Sequence, residues 1–138
     1  MSYAVMQSNY RDMEIHAASP EKLLCIVFEQ LVANLERARI AMERNDPELR
    51  VTALRRARGL VAELLATLDM EKGGPLAVDL AGIYQVMLVE LCDVGIRRDL
   101  VVMRKLINIA TDLRDGFVGA ADQLAKSKAE QTTVRKSA

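Results

Sequence analysis

Three prolines set the frame of this chain, because a proline fits the first turn of a helix and breaks its interior. Ser19-Pro20-Glu21 and Asp46-Pro47-Glu48 each supply a capping side chain, the proline and a first-turn acid. Pro75 follows Gly73-Gly74, so the end of one helix runs straight into the start of another. Gly95 reads as the stop of that helix, and Asp99 as the cap or first-turn acid of the next.

These marks enclose four helices, at about residues 20–44, 47–70, 75–94 and 99–125, and no strand-like alternation interrupts them. Each spans about 30–40 Å at 1.5 Å per residue. Connections this short force antiparallel neighbours, so the expected fold is all-α, an antiparallel up-down four-helix bundle. The apolar residues fall at spacings of three and four, as bundle packing requires. Leu24, Phe28, Leu31, Leu35, Ala38 and Met42 mark the first helix. Leu54, Ala57, Val61, Leu64 and Leu68 mark the second, and Met103, Leu106, Ala110, Leu113, Phe117 and Leu124 the fourth. Residues 1–18 lack a clean period and read as a mobile N-terminal arm, with 19–125 as the bundle. Residues 126–138 hold four basic residues and one acid, and read as a solvated, disordered tail.

The third helix, Leu76 to Val94, carries more apolar surface than a small bundle needs. Its only formal charges are Asp79, Glu90 and Asp93. At 100° per residue Asp79 and Glu90 lie about 20° apart, with Asp93 about 40° off on the other side. Gly82 and Val86 fall near that narrow face. The rest of the circumference, with Leu80, Ile83, Tyr84, Met87, Leu88 and Leu91, is apolar, well beyond the stripe of about 100° that a bundle helix buries. Leu60 and Leu65 add to it from the second helix. Burial inside the bundle, a homodimer interface or a groove for another chain's apolar segment would each account for the surplus.

The remaining composition narrows the function classes. A chain of 138 residues, 51% hydrophobic and 28% charged, suits one folded domain. Lys plus Arg equals Asp plus Glu at 19 each, which argues against nucleic acid as the main partner. The start of the sequence lacks the basic patch and apolar core of a secretory signal. No uninterrupted apolar run approaches the roughly 18 residues of a membrane span, so a soluble, cytoplasmic protein is expected. Cys25 and Cys92 sit in apolar helical runs and read as small buried hydrophobes in a reducing compartment. The single histidine, His16, precedes the first helix and builds no nucleophilic triad. No metal-ligand spacing, inward Glu-x-x-His pair or phosphate loop is present, so no enzyme activity, metal or cofactor is expected. Arg55, Arg56 and Arg58 form either a solvated face or an anionic docking site.

Ala18-Ser19-Pro20-Glu21-Lys22-Leu23-Leu24 resembles the opening of the flagellar secretion chaperones, the FliS family. Leu68-Asp69, Gly73-Gly74, Leu76-Ala77, Leu80, Tyr84 and Met87 resemble its central signature, and Asp99 with Leu113-Arg114-Asp115-Gly116-Phe117 its final block. The likeness covers roughly residues 3–118. It departs at Phe28-Glu29, where the family often has Tyr-Asp, at Gln85-Val86 within the central block, and at Phe117, where the family has Trp. The resemblance implies a bundle that binds the disordered C-terminal segment of flagellin, blocks premature polymerisation and helps deliver it to the membrane export gate. Some relatives also engage an anti-sigma factor or a co-chaperone. The groove walls this suggests are Leu64, Leu68, Leu80, Tyr84, Met87 and Leu91, with Tyr3, Val5, Met6 and Tyr10 of the arm as further client contacts. The alternative is a self-associating bundle, a homodimer without a flagellin client.

Overall fold

The structure, a computed structural model, describes residues 19–137. The expected arm at 1–18, and with it Tyr3, Val5, Met6 and Tyr10, lies outside the described residues. Four helices follow one another: α1 (Pro20–Glu43), α2 (Pro47–Ala66), α3 (Met70–Arg97) and α4 (Leu100–Ser137). No strand occurs among the described residues, and the fold is an all-α four-helix arrangement.

Every helix opens on a side-chain cap. The Lys22 N–H donates to Ser19 Oγ at 3.2 Å, and the Leu49 N–H to Asp46 Oδ1 at 3.1 Å. Asp69 Oδ1 accepts from Glu71 and Lys72 at 3.1 and 3.0 Å, and Asp99 Oδ1 from Val101 and Val102 at 2.9 and 3.3 Å. These bonds satisfy N–H groups that a helix start leaves without partners. The ends reverse through left-handed residues, Asn45 (φ 54°) after α1 and Arg98 (φ 57°) after α3.

Three expected boundaries move. α2 stops at Ala66, short of residue 70, because Asp69 caps a separate turn, Met70–Gly73, that leads into α3. Gly74, at φ 52° and ψ −133°, breaks that turn from the straight helix beginning at Pro75. α3 then passes through Gly95, which packs beside Leu54 and does not end it; Arg98 does. α4 continues past residue 125 to Ser137, where the sequence suggested a disordered tail. No glycine or proline follows Gly119, and the Ala, Lys, Gln and Glu of that stretch are strong helix formers.

The chain falls into two compact units. One holds Val27–Leu113 and so contains most of α1, all of α2 and α3, and the start of α4. Its core interleaves four stripes: Phe28, Leu31 and Leu35; Leu54, Ala57 and Val61; Leu80, Tyr84 and Leu91; Met103, Leu106 and Ala110, all buried. Asn34 is buried among them, and its Nδ2 donates to the Gln30 carbonyl at 2.8 Å, as a buried polar group requires. Arg39 on α1 lies between Glu36 (2.8 Å) and Glu43 (3.0 Å), whose carboxylates raise its pKa further. The other unit gathers the first turns of α1, through Ile26, with α4 from Arg114 onward. There Cys25 is buried, Phe117 half-buried, and Leu124, expected in the core seam, exposed.

Candidate binding groove

α3 presents two apolar arcs, and α2 covers one of them. The covered arc, Ala77, Leu80, Tyr84, Met87, Leu91 and Val94, is buried along its whole length. Burial pushes the Tyr84 hydroxyl pKa up to about 12, since desolvation disfavours the phenolate. The other arc is open. Val78 (58% exposed), Val86 (60%) and Val89 (68%) look outward, and Ile83 is partly exposed.

With the start of α4 this open arc forms a groove of about 990 Å³. The α3 wall is Val78, Asp79, Gly82, Ile83, Val86 and Glu90, and the α4 wall is Val102, Lys105 and Ile109. The buried side chains of Met87 and Leu106 reach its floor. From Val78 to Glu90 the α3 wall runs about 18 Å, or more than three helical turns. Gly82 widens the groove: a Cβ placed there would meet nothing within 4 Å. Two long apolar walls with few polar groups suit another chain's apolar segment in helix-in-groove fashion. They offer no catalytic constellation, and among the described residues no group of three His, Cys, Asp or Glu could hold a metal.

The groove does not use the residues that sequence reasoning picked for its walls. Leu64, Leu80, Tyr84 and Leu91 are sealed in the core and offer no wall; Leu68 is half-buried, and only Met87 touches the groove, from beneath. These side chains are bulky and lie on the arcs that face the bundle, which needs that bulk for its own core. Val78, Val102, Lys105 and Ile109 were missed, and Gly82 and Val86 were credited only to the charged face. The available signal was a second, smaller-residue repeat at 78, 82 and 86, with 102, 106 and 109 beside it. Arg55 and Arg56 are exposed and Arg58 half-buried, on a different helix. Cys92, expected to be buried, is exposed on α3.

By length and composition alone α3 is apolar enough to cross a membrane, although no uninterrupted apolar run within it is that long. Asp79 and Glu90 interrupt it without offsetting its two apolar arcs. Only 28% of the apolar window is buried inside the fold, which is the same surplus measured another way.

The sequence pattern of the family described as "Flagellar protein FliS" matches residues 2–124 of this chain. The chain belongs to the FliS family. Among FliS relatives, the flagellar secretion chaperone of Campylobacter jejuni is 30% identical over 119 residues, covering 81% of this chain and 91% of its own. The flagellar secretion chaperone of Salmonella typhimurium is 28% identical, covering 75% and 77%. The FliSB chaperone of Pseudomonas aeruginosa is 25% identical, covering 78% and 86%. These FliS proteins are named for a chaperone role in flagellar secretion and not for a reaction.

Proposed function

We propose that this chain is a cytoplasmic flagellar export chaperone that holds the C-terminal segment of flagellin in the groove between α3 and α4. The segment's apolar stripes would otherwise pair with other flagellins, and the groove offers a substitute surface that blocks premature polymerisation. Ordering a disordered segment on binding costs on the order of 2–5 kcal/mol, which keeps the complex releasable at the export gate. The observation that carries the proposal is the open apolar arc of α3, with Val78 and Val86 more than half exposed beside the start of α4.

Calorimetry with the full chain and the flagellin C-terminal segment tests it. Binding in the micromolar range or tighter is expected, and Val86→Asp should abolish it while the circular dichroism spectrum stays unchanged. A wild-type chain that fails to bind the segment at micromolar concentration removes flagellin as the client. A dimer that stays intact in sedimentation when the segment is added would favour self-association through this face.

A further inference from the structure

The groove carries three formal charges, and their placement is asymmetric. Asp79 and Glu90 stand on the α3 wall and Lys105 on the α4 wall. Asp79 and Glu90 are eleven positions apart, which is about 16 Å and within about 20° of one line along the helix. Glu90 is half-buried, and none of the three belongs to an ion pair among the described residues. The neighbouring Asp93, outside the groove, is paired with Arg97 at 3.1 Å. A segment lying in the groove would strip water from these charges, and a desolvated charge without a partner opposes binding.

Resting on the reading of the groove as a client site, we infer that it selects its client by charge as well as by apolarity. The occupant is an amphipathic helix of a foreign chain. Its apolar stripe is flanked on the α3 side by two basic residues about three turns apart, and on the α4 side by an acid. Complementarity carries this choice of occupant: an eleven-residue repeat on a docked helix returns to the same side within about 20°, matching Asp79 and Glu90. A helix with acids on that side would set like charges together at both ends of the groove. The charges thereby fix the occupant's direction of entry, which an apolar trough alone leaves open.

The test uses the full chain and two synthetic amphipathic peptides of roughly 18 residues, about five helical turns. They share one apolar stripe; one carries lysines eleven positions apart on one flank and a glutamate on the other, and the second carries glutamate at all three positions, so that neither direction of entry offers a basic flank to α3. At low salt the lysine-flanked peptide should bind about tenfold more tightly, and the gap should shrink in about 1 M salt. Asp79→Lys with Glu90→Lys, one site exposed and the other half-buried, should invert the preference with the helical spectrum unchanged. Equal affinity for the two peptides, with Val86→Asp weakening both, overturns charge selection and leaves the groove as a client site. A preference that survives the double substitution overturns it in the same way. If neither peptide binds, or if Val86→Asp changes nothing, the inference and the groove reading fail together. A wild-type dimer that dissociates as either peptide binds would make a second copy the occupant, and the inference falls.

Discussion

Gly82 is the position at which the openness of the groove can be tested without touching the core. It lies in the middle of α3, exposed, with no atom within 4 Å of where a Cβ would stand. A glycine inside a helix costs about 0.5–1 kcal/mol relative to alanine, because its backbone loses more freedom on folding. Gly82→Ala should therefore stabilise the fold by about that amount. At about 2.1 cal/mol/K per residue, unfolding a chain of 138 residues makes 1 kcal/mol worth about 3 °C in Tm. Gly82→Ala should melt about 2–3 °C higher.

Gly82→Trp separates stability from binding. A Cβ at this position meets no neighbour, and the trough beside it, at about 990 Å³, has the volume for an indole, so the melting temperature should hold or rise slightly. A client segment would then lose its seat between Val78 and Val86. Displacing one buried apolar side chain of the client costs about 1.5–3 kcal/mol, or roughly a 10- to 100-fold loss of affinity. Thermal melting by circular dichroism and calorimetry with the flagellin C-terminal segment read the two quantities separately. A Gly82→Trp chain that melts several degrees lower would show that the trough is not open. One that melts normally and binds the segment as tightly as wild type would take the groove out of the mechanism.

Leu91→Ala, at a fully buried site, should cost about 2–5 kcal/mol in urea unfolding, whereas Val86→Ala on the open arc should change stability by less than about 0.5 kcal/mol. Gly74→Ala should lower the urea midpoint by about 1–3 kcal/mol of stability, because φ 52° with ψ −133° is open only to glycine, and Gly73→Ala should add to it, since its Cβ would stand 2.6 Å from that of Ala77. Tyr84 keeps its proton to about pH 12 in the fold but loses it near 10 when unfolded, so the unfolded state binds fewer protons between those values. Stability should be unaffected by this group below pH 10 and fall as pH rises from 10 to 12; Tyr84→Phe should remove that part of the decline in alkaline denaturation curves.

Local chemistry was legible in the sequence and the inward direction of α3 was not. Ser19-Pro20, Asp46-Pro47 and the glycine pair act within a few residues of themselves, so they announced helix starts and breaks directly. Phe28, Leu31, Leu35, Val61 and Met103 could be assigned to the core because each lies on the one dominant apolar stripe of its helix. α3 has two, and a period of 3.6 reports that both are apolar without saying which one the other helices cover. Size breaks the tie. Leu80, Tyr84, Met87 and Leu91 have the volume to fill a core at native density, whereas Val78, Gly82 and Val86, too small to bridge the gap toward α4, leave a trough there. The bulk went to the bundle itself, and the surface left open is the one where side chains run short.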